Sequence, residues 1–126
     1  MTREEKDLLL KDLITRLPYG VKVKYCGNIE ILRDKGCDLF IKYCSGVLDT
    51  CPDIEEIKPY LFPMSSMTKE QRTIYADLVC EVVMSNPLES RECIGKLYDW
   101  LNKNHFDHRE LIEKGLAIDA TGLNIY

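Results

Sequence analysis

The sequence predicts an α+β fold, because helical and strand periodicities fall in separate blocks along the chain and do not alternate. An amphipathic helix opens the chain, a run of period-two segments follows, and the second half returns to helical spacing behind a series of capping signals. The expected architecture is an N-terminal helix, then an antiparallel meander of three to four strands. Two longer helices and a short C-terminal helix follow, packed on the sheet, in one domain over residues 1–126.

Each element has its own signal. Thr2 with Glu5 forms a capping box, and Leu9, Leu10, Leu13, Ile14 and Leu17 recur at helical spacing, which predicts a helix over 3–17. Pro18-Tyr19-Gly20 ends it. Residues 21–25 and 29–33 alternate with period two around the turn at Gly27-Asn28, residues 39–43 read as a third strand, and Val47-Leu48 starts a short fourth. Consecutive strands on short turns pair with one another, hence the meander.

From Cys51 the pattern turns irregular. Residues 53–57 suit one helical turn, and 59–67 reads as a long apolar connection in which Pro59 and Pro63 bar regular structure. Thr68 with Gln71 caps a helix over 69–84 whose stripe of Ile74, Tyr75, Leu78, Val79, Val82 and Val83 is expected to face the core. Asn86-Pro87 opens another helix, running to about Asn104. Asp107 with Glu110 signals a short third one closed at Gly115, and Leu116-Ala117-Ile118 reads as an added edge strand.

The segments 56–68, 100–107 and 111–117, with Leu8–Leu13 and Leu17–Val21, resemble a family of short uncharacterised proteins encoded by phages, prophages and mobile elements of gut anaerobic bacteria. That resemblance implies an accessory product acting on host machinery or host defence, and it brings no activity or site residues with it.

Composition narrows the function classes. The net charge of −4 divides into −1 over residues 1–63 (10 basic, 11 acidic) and −3 over 64–126 (7 basic, 10 acidic), so general nucleic-acid binding is not expected. No apolar run approaches the roughly 20 residues of a membrane span, and Arg3-Glu4-Glu5-Lys6-Asp7 is unlike a signal peptide, which implies a cytoplasmic protein. Six cysteines there read as reduced and mostly buried thiols, with no Cys-X-X-Cys pair among them.

Candidate chemistry is sparse. His105, Asp107, His108 and Arg109 form the densest reactive cluster. Its plain reading is structural: Asp107 caps a helix, His105 helps end the previous one, and His108 lies on the solvent side. Metal-ligand spacing is missing, so no metal or cofactor is expected. No nucleophile elbow, phosphate loop or dinucleotide fingerprint is present, which argues against an enzyme.

The apolar connection either covers the core or forms a contact site, with Tyr60, Phe62, Met64, Ser65 and Ser66 as the binding candidates beside the 105–109 cluster. The expected function is a non-catalytic accessory protein that binds a host protein or small ligand, plausibly in counter-defence. A sponge that sequesters a nucleotide-type signalling molecule, with or without homo-oligomer formation, is the alternative, and a thiol- or metal-dependent enzyme is the second alternative.

Overall fold

The computed structural model describes residues 1–35, 38–42, 49–50 and 53–126, and side chains outside 33–52. Helix α1 spans Arg3–Arg16, capped by Thr2, whose Oγ1 accepts from the Glu5 N–H at 3.1 Å. A short 3₁₀ turn, Leu17–Tyr19, ends at Gly20 in the left-handed conformation (φ 68°) that glycine adopts without steric cost.

Strands β1 (Lys22–Tyr25), β2 (Asn28–Lys35), β3 (Asp38–Lys42) and β4 (Asp49–Thr50) pair antiparallel in sequence, as a meander requires. The part of the expected fourth strand at Val47-Leu48 lies outside the described residues, as do Cys37, Cys44 and Cys51. β1 opposite β2 puts Val23 across from Glu30 and Lys24 across from Ile29. Val21, Val23, Tyr25 and Leu32 are therefore buried on the inner face, while Ile29 and Ile31 stand exposed beside Lys22 and Lys24 on the other.

The sheet does not end with the meander. β5, Lys58–Pro63, pairs antiparallel with β1, and it pairs in parallel with β6 (Phe106–Asp107) and β7 (Ile118–Asp119), which makes the sheet mixed. This corrects the irregular connection expected at 59–67. Pro59 lies near the end of its pairing with β1 and Pro63 is the last residue of β5, positions where a missing N–H costs little. A 3₁₀ turn at Met64–Ser66 follows.

Helices α2 (Lys69–Met84) and α3 (Ser90–Lys103) form as expected, and Thr68 and Gln71 make the full reciprocal capping box. Asn86 Oδ1 accepts from the Leu88 and Glu89 N–H groups at 3.0 Å, a turn before α3 becomes regular. The core-facing stripe of α2 is a correction. No α2 residue is fully buried: the helix packs on α3, with Tyr75 stacked on Trp100, and it is α3 that meets the sheet, Trp100 lying 5.6 Å from the Phe106 ring of β6. A second correction falls on 107–115, where turns replace the short helix. Glu110 takes a positive φ of 59°, which breaks helical progression, and Asp107 is drawn into β6.

The core joins Leu9 and Leu13 of α1, Val21 and Val23 of β1, Leu61 of β5 and Leu111, with Leu116 and Ala117. A smaller cluster of Met67, Leu101 and Phe106 lies under Phe62, Tyr75 and Trp100. Cys26 and Cys80 are exposed and Cys93 is half-buried, so burial of the thiols does not hold for these three.

Charge is buried too. Asp12 and Arg16, both fully enclosed, form an ion pair at 2.8 Å, and Arg16 Nη2 donates to the Phe106 carbonyl at 2.7 Å. Arg109 Nε lies 3.2 Å from the other Asp12 oxygen, at an angle too oblique for a hydrogen bond. Removing one partner of such a pair leaves a buried charge uncompensated. Asp12→Ala is expected to lower stability by about 3–5 kcal/mol in urea denaturation. The double change Asp12→Ala with Arg16→Met should lose less than the sum of the two single changes.

Candidate functional site

A cavity of about 360 Å³ opens where β5, the end of α3 and the last residues of the chain meet. Phe62 and Phe106 bring their rings from paired strands, 6.5 Å apart and edge to face. Tyr126 supplies the third aromatic wall, 5.9 Å from Phe62. Polar side chains come from Ser66, from Gln71 in the first turn of α2, and from Lys103, Asn104, His105 and Thr121.

His105 is the residue on which this arrangement turns. Asn104 caps α3, and the next residue must turn the chain sharply so that Phe106 can pair with Phe62. His105 does so at a φ of 61°, a conformation that costs a non-glycine residue roughly 1 kcal/mol or more. Its carbonyl accepts from the Phe62 N–H at 2.8 Å, and its ring stacks on Tyr126 at 3.6 Å and 13°. Nδ1 is buried and has no protein partner among the described residues.

Tyr126 is held as firmly. Its hydroxyl donates to the Tyr60 carbonyl at 2.8 Å and accepts from the Lys22 N–H at 2.8 Å, while Lys22 Nζ donates to the Ile125 carbonyl. Part of the residue stays in solvent but the phenol end is enclosed, and burial raises its pKa to about 12.

The sequence candidates separate into three places. Phe62, Ser66 and His105 line this cavity, and Tyr60, itself buried, supports it through its carbonyl. Met64, Ser65 and Asp107 border a smaller depression of about 270 Å³ with Glu110 and Glu113. The Asp107 carboxylate accepts from the Leu111 and Ile112 N–H groups, both at 2.9 Å, and so holds the loop that replaces the expected helix. His108 is half-buried, not solvent-side: its Nε2 lies 3.0 Å from Asn102 Oδ1 and its ring packs on Tyr98 at 5.1 Å. Arg109 turns to Asp12.

Sequence reasoning missed Gln71, Lys103, Asn104, Phe106, Thr121, Gly122 and Tyr126. Asn104 and Phe106 flank a singled-out histidine and are within reach, whereas Tyr126 carries no signal beyond being aromatic in a short irregular stretch. A wider depression of about 520 Å³ lies between Lys24, Cys26, Glu55, Glu56 and Lys58. It lacks aromatic walls, and Glu55 is already paired with Lys6 at 2.7 Å. Among the described residues no group of three or more His, Cys, Asp or Glu side chains is placed to hold a metal ion, and no helix is long and apolar enough to cross a membrane.

No protein-family model, curated protein or solved structure matches this chain.

Both histidines are held neutral. Burial comes first and the positive field of Arg16 second, and each pKa falls from 6.5 to about 4. Unfolded, each imidazole takes up a proton near pH 6.5; folded, only near pH 4. The unfolded chain therefore binds more protons between those values. The associated stability is complete above about pH 6.5 and is lost as pH falls toward 4. Urea midpoints measured from pH 7.5 to 4 should decline across that window, and the decline should be shallower in His108→Gln.

Proposed function

We propose that this chain is a non-catalytic accessory protein, of the kind mobile elements encode, that holds a small ligand in the cavity between Phe62, His105 and Tyr126. One observation carries the reading: three aromatic rings and a set of polar side chains converge there from segments far apart in the chain, around a histidine kept in a strained backbone conformation. Strain of that kind persists where the surrounding structure over-determines it, and it concentrates at ligand sites. Pockets with apolar walls and a few placed polar groups are the usual form of a small-molecule site.

The same geometry supports binding over catalysis. A general base works best with a pKa near the operating pH, and both histidines sit well below it. The described cysteines Cys26, Cys80 and Cys93 do not line the cavity.

Native mass spectrometry of the purified chain tests the proposal. A retained small molecule is expected, and Thr121→Trp, which fills the cavity from its exposed rim, should remove it without lowering the melting temperature. Retention unchanged in that variant would sink the reading.

A second reading, binding of a host protein, is favoured by the turn between α2 and α3, where Val83, Met84 and Leu88 are 74%, 83% and 94% exposed. Exposed apolar side chains grouped in one place have the character of a contact surface. Met84→Ser with Leu88→Ser should leave stability within about 0.5 kcal/mol. On this reading the pair of changes abolishes a specific host cross-link that Thr121→Trp preserves, and a cross-link indifferent to both excludes it.

A further inference from the structure

We propose that the ligand of the cavity is a mononucleotide-class anion, a ring-bearing phosphate ester whose charge is received at Lys103 and whose base lies against Tyr126 and Phe62. This rests on reading the cavity as a ligand site and adds to it the chemistry of what enters.

Charge is the first argument. The chain carries 21 acidic residues against 17 basic ones, so a random patch of its surface is more often acidic than basic. The described residues lining this cavity run the other way: Lys103 is a cation, and no Asp or Glu side chain is among them. Gln71, Asn104 and Thr121 add neutral groups that can donate hydrogen bonds to phosphate oxygens. Gln71 also brings the first turn of the 16-residue helix α2 to the rim, and with it the positive end of the helix dipole.

The protein behind the wall has the same sign. Arg16 is fully buried against the carbonyl of Phe106, and its Nη1 has no partner among the described residues. Among the described residues Asp12 is shared between Arg16 and Arg109. Lys22 adds a further cation 5.6 Å from the Tyr126 ring. Arg16 and Lys22, both positive, help burial hold His105 neutral. Low-dielectric walls focus such a field into the cleft and favour an anion there.

Shape supplies the remainder of the specificity. His105 and Tyr126 stack on each other, and Phe62 tilted beside them, with the edge of that stack, offers apolar surface to a heteroaromatic ring. A volume of about 360 Å³ is at the small end of ligand pockets, the scale of one nucleotide and not of two. The overall acidity of the chain disfavours a nucleic-acid tract as the source of the phosphate.

The test is a ¹⁵N-resolved NMR titration of the full chain with the four ribonucleoside monophosphates, the matching nucleosides, inorganic phosphate and a short oligonucleotide. At least one monophosphate should shift Lys103, Asn104, Thr121 and Tyr126, and bind about tenfold or more tightly than its nucleoside. Lys103→Gln, a change at an exposed position, should weaken that binding about tenfold, and so should raised salt. Equal binding of nucleoside and nucleotide, indifferent to Lys103→Gln and to salt, overturns the anion while the cavity reading stands. Nucleotide binding that survives Thr121→Trp overturns the cavity reading itself. An oligonucleotide bound more tightly than any monophosphate, or no monophosphate bound at millimolar concentration, overturns the mononucleotide assignment.

Discussion

Two charges taken out of water near the N-terminus govern much of the molecule. Asp12 and Arg16 sit one helical turn apart on α1, fully enclosed, and their burial is tolerable because they pair with each other and each meets a second group, the Phe106 carbonyl for Arg16 and Arg109 for Asp12. Arg16 reaches the Phe106 carbonyl and so ties α1 to β6, while Arg109 returns to Asp12 from the following loop. Helix α3 is fixed between these attachments and the Tyr19–Asp99 hydrogen bond of 3.0 Å. A pair of apolar residues in the same place would fill the space but specify no partner ninety residues away. The ion pair thus sets where β6 lies, and β6 sets the turn at His105.

The elements legible in the sequence are those with local causes. Thr2 and Thr68 announce their helices because a capping hydrogen bond spans three residues and needs nothing else. The meander follows from alternation and turns, again local. β5 was illegible because its prolines argue against a strand, and only its partners excuse them. Phe62 donates to the His105 carbonyl, and the Leu61 carbonyl accepts from the Ala120 N–H, so the N–H and C=O groups between the prolines are satisfied by distant chain. The stripe of α2 misled for the opposite reason. Helical spacing shows that a helix has an apolar face, not whether a sheet or only another helix covers it.

The cavity divides in the same way. Phe62, Ser66 and His105 stood out because large apolar side chains near prolines, and a histidine after a helix, are locally unusual. Lys103 is one more lysine at a helix end, and Tyr126 one more tyrosine. Their meeting depends on parallel pairing of short strands, which leaves no periodicity to read. Asp107, by contrast, reads as a helix cap with no helix to follow: its carboxylate accepts from two backbone N–H groups, but of the turns after Glu110, whose positive φ keeps a helix from forming.

The long reach of these contacts has a consequence for how the cavity is coupled to the core. Arg16 and Phe106 are 90 residues apart in sequence, and Lys22 and Tyr126 are 104 apart, so each contact alone closes a loop of nearly the whole chain. Once the first is made, the second closes only the 6 residues from 16 to 22 and the 20 from 106 to 126, a loop of 26. Loop-closure entropy then falls by about 1 kcal/mol for the second contact. The buried ion pair and the tyrosine wall are therefore linked through the entropy of the chain between them, without touching. Damage to α1 loosens the cavity even where every residue lining it is intact.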